Sequence, residues 1–176
     1  FLLLDEPTVG VDPVSRRELW LIVDDLVRER GIGVLVATAY LDEAEHCSEV
    51  VVMDRGEVLE HGAPQAFANA MRGRVVELSP ANGHLPRSIQ GAVADLDGVI
   101  DATVHSGRVR VVATDAAALE SCREVTGVES QAAAVPRFED AFMAHLAPRY
   151  DKVRIGTATT APAQHHDGVA VRVRDL

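Results

Sequence analysis

Leu2, Leu3 and Leu4 run without a polar break into Asp5 and Glu6, and Pro7 closes the run. That short stretch limits the fold more than any other segment of the chain. Strands that read as continuous hydrophobics belong to parallel sheets covered on both faces, and ligands of such sheets bind just beyond the carboxyl ends of the strands. Two adjacent carboxylates at such an end suit a magnesium-bound phosphate. Asp5 is placed to hold the ion, and Glu6, one residue on, to orient or deprotonate a water. A strand end that simply turns at Pro7 is the plainer alternative.

The downstream sequence argues against the plainer reading. Thr8-Val9-Gly10-Val11-Asp12-Pro13 leads into an amphipathic helix predicted over 13–30, with Leu19, Ile22, Val23 and Leu26 at i, i+3, i+4 and i+7 and Trp20 and Val27 beside them. Proline at the first helical position after Asp12, an N-cap residue type, marks its start. Gly31 and Gly33 end it. A strand is predicted over 34–38, a short acidic helix over 41–47, a hairpin from 50–53 and 57–61 joined around Arg55-Gly56, and a closing helix over 64–71.

In this order, Leu2-Leu3-Leu4-Asp5-Glu6-Pro7, Val34-Leu35-Val36-Ala37-Thr38-Ala39-Tyr40-Leu41-Asp42-Glu43-Ala44-Glu45 and Val50-Val51-Val52-Met53-Asp54-Arg55-Gly56-Glu57-Val58-Leu59-Glu60-His61-Gly62 resemble the Walker B strand, H-loop region and final hairpin of ATP-binding cassette (ABC) ATPases. The resemblance covers residues 1–62. It implies an α/β fold, a partial P-loop NTPase sheet, with ATP and Mg²⁺ as cofactors. Asp5 would hold Mg²⁺ through water or phosphate, Glu6 would be the catalytic residue that aligns the attacking water, and Asp12 would sit in the D-loop that crosses the dimer interface and couples the two nucleotide sites. Chemistry of this kind rests mostly on positioning and charge stabilisation.

Ala39 departs from the family pattern, which places a histidine there to touch the γ-phosphate and brace the glutamate. A methyl group does neither. Losing a donor to developing charge costs about 2–4 kcal/mol, a hundredfold or more in rate. With Glu6 retained, hydrolysis is expected to be impaired rather than abolished. Thr38-Ala39-Tyr40 followed by Asp42-Glu43-Ala44-Glu45 also resembles the first cassette of tandem, permease-fused proteins described as ribosome-associated ATPases.

The family's Gly-rich P-loop, G-x-x-x-x-G-K-[ST], whose backbone N–H groups cradle phosphates, does not occur in the sequence, and neither does the signature Leu-Ser-Gly-Gly. The chain is therefore expected to be a fragment cut through an ATPase domain, unable by itself to bind ATP well or turn it over. Its first strand would then expose edges that normally pair and faces that normally carry helices.

Beyond residue 74 the texture changes. Strands are predicted over 75–78, 99–105, 108–113 and 128–135 and helices over 86–96 and, N-capped by Asp115, to about residue 125. This β-α-β-β-α-β order is that of a ferredoxin-like split unit, in which nothing polar converges and Cys122 is expected half-buried. Pro136-Arg137-Phe138-Glu139-Asp140-Ala141-Phe142 opens a last helix to about residue 146 and resembles the C-terminal appendage of drug- and lipid-exporter cassettes. Four segments result: the C-terminal portion of an ABC ATPase domain over 1–73, a ferredoxin-like α+β subdomain over 74–147, a linker over 148–168, and, over 169–176, the first strand of a second ABC ATPase domain on the same chain.

A net charge of −10 argues against a nucleic-acid or anionic-membrane surface, either of which needs a concentrated basic face. No stretch approaches the roughly 18 to 20 apolar residues that span a bilayer. Two cysteines, Cys47 and Cys122, are too few for a disulfide framework and suit a reducing cytoplasm. Neither His46-Cys47 nor His165-His166 suggests metal, since adjacent residues rarely converge on one ion. Asp42, Glu43 and Glu45 do not share one helical face, so a solvated surface or contact with a neighbouring loop is expected of them rather than a metal site. Arg16 and Arg17 are expected in surface ion pairs.

Three functions are compatible with these readings. The leading one is the ATP-hydrolysing subunit of an exporter, cytoplasmic and peripheral to the inner or plasma membrane through a permease, with no membrane insertion of its own. The second is a tandem-cassette ribosome-associated ATPase, the one case in which nucleic acid would be near, or a noncatalytic regulatory cassette. The third is a regulatory binding module in which residues 74–146 are the active portion.

Overall fold

The computed structural model describes residues 1–150 of the 176-residue chain. The strand expected over 169–176 and all but residues 148–150 of the expected linker lie outside the described residues.

The first half is built from β1 (Leu2–Asp5), α1 (Pro13–Arg28), β2 (Val34–Ala37), α2 (Leu41–Ala44), β3 (Val50–Asp54), β4 (Glu57–Gly62) and α3 (Pro64–Ala70). β1 and β2 pair in parallel, Leu2 opposite Val34 and Asp5 opposite Ala37. Both strands alternate between half-buried and exposed residues, and Leu3 and Leu35 are 67% and 60% exposed. The pair is thus not covered on both faces as a continuous apolar run ordinarily is, and it shows the exposed face expected of a strand without its usual neighbours. One face of the pair has no covering layer among the described residues, so a continuous apolar run lies half in solvent. β3 and β4 form an antiparallel hairpin, with a register shift between Val52 and Met53. Arg55 and Gly56 both take positive φ, 50° and 80°, the geometry of a tight hairpin turn that matches strand twist.

The second half runs β5 (Val75–Pro80), α4 (Pro86–Ala94), β6 (Val99–His105), β7 (Arg108–Ala113), α5 (Ala116–Arg123) and β8 (Val128–Ala133), then α6 (Phe138–Leu146) and a 3₁₀ turn (Ala147–Arg149). The four strands make one antiparallel sheet in the order β6-β7-β5-β8. Adjacent valines in β5 and β7 point to opposite faces, and both faces are covered. Val76, Leu78, Val109, Val111 and Ala113 pack under Ile89 and Val93 of α4 and Leu119 and Cys122 of α5. Cys122 is fully buried rather than half-buried, since it lies on the face of α5 turned to this core.

Val75 and Val112, on the opposite face, meet Phe138 and Ala141 of α6 together with Phe67, Met71, Val52 and Ala44 from the first half. Phe67 and Phe138 pack edge to face at 5.3 Å. One core thus spans the boundary expected at residues 73 and 74.

A buried ion pair on that same face corrects the expectation that nothing polar converges here. Arg110 Nε and Nη2 donate to Asp140 Oδ1 and Oδ2 at 3.1 and 2.7 Å, Nη2 also donates to Val135 O at 2.7 Å, and Asp140 Oδ2 accepts from Arg137 N at 2.6 Å. The carboxylate of Asp140 holds the Arg110 guanidinium above its ordinary pKa. The expected linker start is also revised. Arg149 bonds Asp54 and Glu57 at 3.0 and 2.6 Å, and Tyr150 donates to Asp54 at 2.6 Å, so the chain stays on the hairpin turn to residue 150.

Candidate functional site at the carboxyl ends of β1 and β2

Because β1 and β2 are parallel, the chain leaves both at the same sheet end. Leu2 N bonds Gly33 O at 2.9 Å and Glu6 N bonds Ala37 O at 2.7 Å, so the ladder runs one residue past Asp5. Asp5 closes β1 as an exposed residue. An exposed carboxylate beyond a parallel strand is able to take a hydrated divalent cation.

Glu6 turns the chain sharply. Its φ is 46°, a left-handed conformation that costs a residue with a Cβ roughly 1–2 kcal/mol and that concentrates where side chains are aimed for function. Two backbone bonds hold the turn, Val9 N to Glu6 O at 3.2 Å and Val11 N to Thr8 O at 3.1 Å. Glu6 Oε2 is buried without a hydrogen-bond partner among the described residues. Buried polar atoms are nearly always bonded, and an acceptor left open beside Asp5 fits a water or another proton donor.

Asp12 is committed to its own helix. Oδ1 accepts from Val14 N at 2.9 Å and Ser15 N at 3.1 Å, the N-cap arrangement anticipated from Asp12-Pro13. The Ser15 side chain first, then the Ser15 and Val14 backbone N–H groups, hold its carboxyl below the ordinary value. Ala39 is exposed on the segment leaving β2, where Tyr40 N bonds Thr38 Oγ1 at 3.0 Å. The sheet therefore brings Asp5, Glu6 and the Ala39 segment to one end, while Asp12 stands at the start of α1.

Of the two placements expected for the acidic residues of α2, solvent or contact with a neighbouring loop, Glu43 takes the second. Glu43 is 1% exposed and Thr8 is fully buried. Thr8 Oγ1 donates to Glu43 Oε1, and Glu43 Oε2 has no partner among the described residues. Asp42 and Glu45 do face solvent. Helical spacing alone could not single out Glu43, because its burial comes from a turn 35 residues earlier.

Arg16 pairs with Asp42 at 3.7 Å and lies 4.8 Å from the Tyr40 ring, while Arg17 is exposed. His46 stacks on Trp20 at 4.9 Å. Arg16, Trp20, Glu43 and His46 line a groove of about 940 Å³ between α1, β2 and α2, and this groove takes in neither Asp5 nor Glu6 nor Asp12.

No protein-family profile matches the chain. Individual proteins do. The probable multidrug ABC transporter ATP-binding protein YbhF of Escherichia coli K12 is 41% identical over 145 residues, 81% of this chain and 25% of YbhF. The daunorubicin resistance ATP-binding protein DrrA2 of Streptomyces coeruleorubidus is 36% identical over 116 residues, 65% of this chain and 36% of DrrA2. The linearmycin resistance ATP-binding protein LnrL of Bacillus subtilis is 29% identical over 134 residues, 76% of this chain and 42% of LnrL.

The chain belongs to the ABC transporter ATP-binding proteins. It spans about a quarter of YbhF and less than half of the other two. The 145 residues aligned with YbhF are more than twice the 62 that carry the Walker B, H-loop and hairpin resemblance, so this ABC protein's likeness to YbhF extends well into the four-stranded sheet.

Proposed function

We propose that the chain is a segment of an ATP-hydrolysing cassette that energises export through a membrane permease, and that Asp5 and Glu6 are its reacting carboxylates. The observation that carries this reading is the Asp5–Glu6 pair at the mouth of a parallel strand pair, with Glu6 held left-handed and one of its oxygens unpartnered among the described residues. Asp5 would hold Mg²⁺ through water or a phosphate oxygen, and bound Mg²⁺ would supply charge neutralisation to the transferring phosphoryl group. Glu6 would accept the proton of the attacking water, while Asp12, fixed at the start of α1, would present the D-loop to an opposing cassette.

The drug-resistance names of DrrA2 and LnrL and the multidrug name of YbhF support export as the work done. No helix among the described residues is long and apolar enough to cross a membrane. In this reading the membrane-spanning permease is a separate domain or subunit, and the cassette sits on its cytoplasmic side. The β-α-β-β-α-β order and the β6-β7-β5-β8 sheet support reading residues 74–147 as the ferredoxin-like appendage of an exporter cassette. A second cassette on the same polypeptide belongs to this proposal, as does the kinship with tandem ribosome-associated ATPases as its alternative. Ala39 favours one further reading, a regulatory site that binds ATP and hydrolyses it slowly or not at all.

ATP turnover by the full-length protein separates these. In the working-site reading Glu6→Gln lowers kcat about a hundred- to ten-thousandfold, and Ala39→His raises it. Unchanged turnover in both variants identifies the regulatory site and removes Glu6 from catalysis.

A further inference from the structure

We infer that Glu43 and Thr8 are positioning residues for Glu6, forming a latch that ties the Glu6 turn to the segment carrying Ala39. The inference rests on the ATPase reading of Glu6 given above. Thr8 lies two residues beyond Glu6 in the turn closed by the Val9 N–Glu6 O and Val11 N–Thr8 O bonds. It is fully buried, and its hydroxyl reaches across to Glu43 of α2. α2 begins directly after the Thr38-Ala39-Tyr40 segment. The latch therefore joins the two chain segments that leave the sheet at the Asp5 end, a few residues from each.

Three observations separate this contact from ordinary packing. A carboxylate 1% exposed is held with one neutral donor while its second oxygen goes unpartnered among the described residues, which is a costly way to fill a core. Secondly, the turn it fixes contains a left-handed Glu6, a conformation that persists only where the surroundings over-determine it. Thirdly, Ala39 has no side-chain donor or acceptor with which to brace Glu6. The latch supplies from beneath the turn the restraint that Ala39 cannot supply beside it.

The test is kcat and KM for ATP in the full-length protein, measured for Thr8→Val, Thr8→Ser, Thr8→Val/Glu43→Leu and Glu6→Gln, with unfolding midpoints recorded alongside. Misplacing a reacting group by about 1 Å costs on the order of a hundredfold, so Thr8→Val is expected to lower kcat roughly 10- to 100-fold with KM nearly unchanged. Thr8→Ser, which keeps the donor, recovers turnover relative to Thr8→Val. The double variant replaces both partners with apolar groups, which can be nearly neutral for folding, and keeps the claim testable should Thr8→Val be too unstable to assay. Its kcat stays low if the latch positions Glu6. If Glu6→Gln reduces turnover while the double variant turns over at the native rate, the latch is structural only and the inference fails alone. If Glu6→Gln leaves turnover unchanged, the ATPase reading fails and the inference falls with it.

Discussion

Replacing Asp140 with alanine strands the Arg110 guanidinium on the α6 face of the sheet. Side-chain exposure is 7% for Arg110 and 5% for Asp140, so water cannot take over from the lost carboxylate. After the change, Arg110 keeps Val135 O at 2.7 Å and a distant Glu77 Oε1 at 3.8 Å. Removing one partner of a buried pair costs about 3–5 kcal/mol, and loss of the 2.6 Å bond from Arg137 N puts Asp140→Ala inside that range despite the help from Glu77. For a chain of this size that is a fall in Tm of roughly 6–20 °C. Arg110→Met/Asp140→Ala removes the stranded charge and is expected to regain most of the loss, leaving about 1 kcal/mol for the missing bond at the start of α6. Urea unfolding of wild type, both single variants and the double variant closes the cycle. An Asp140→Ala cost below about 1 kcal/mol, or a double variant as unstable as the sum of the singles, would refute the view that this pair straps α6 to the sheet.

Two further outcomes concern the same sheet. At Gly98, φ is 79°, and an added Cβ would lie 2.7 Å from the Ala118 Cβ and 2.9 Å from Thr114 Oγ1. Gly98→Ala therefore combines left-handed strain of about 1–2 kcal/mol with overpacking of about 1–3 kcal/mol, read as a lower urea midpoint with an unchanged m-value. Asp101 is half-buried, and burial first, then the nearby charges of Glu139 and Asp140, push its carboxyl above the ordinary 3.8. The folded state thus holds that proton more tightly than the unfolded one, so this group's contribution is full below 3.8 and is lost as pH rises through the raised value. Asp101→Asn is expected to raise the unfolding midpoint at pH 7, and the gain should vanish when the same measurement is made below pH 3.8. An equal gain at both pH values would place the effect in packing rather than ionisation.

Local signals are enough for most of the backbone. Proline after Asp12 marks the start of α1, and Gly31 marks its end to within a few residues. Ser106-Gly107 separates β6 and β7 correctly because a tight hairpin turn needs positive φ at both positions, here 48° and 78°. The parallel pairing of the Leu2–Asp5 run is also readable, and its open face is readable only from the motifs missing elsewhere in the sequence, since the run does not itself encode the layers that cover it. Side-chain placement fails wherever the deciding partner is distant. Glu43 looks like any residue of an acidic helix until Thr8 is laid against it. Arg110 reads as one of two strand arginines, and only α6, thirty residues later, buries it against Asp140.

The placement of α6 explains why the two halves are harder to separate than their composition suggests. Val75 and Val112 use the face of the second sheet that α4 and α5 leave open, and α6 alone does not close it. Phe138 reaches Phe67 at 5.3 Å, and His145 reaches the same ring at 5.9 Å, so α3 and the β3–β4 hairpin complete the layer. Arg149 and Tyr150 then fix the end of α6 to Asp54 at the tip of that hairpin. A cut at residue 73 would expose Val75, Val112 and Phe138 together, a contiguous apolar surface of the kind that drives association. The change in sequence texture near residue 74 thus marks a change of supersecondary motif. The packing unit that α6 organises runs across it, from Ala44 to Ala141.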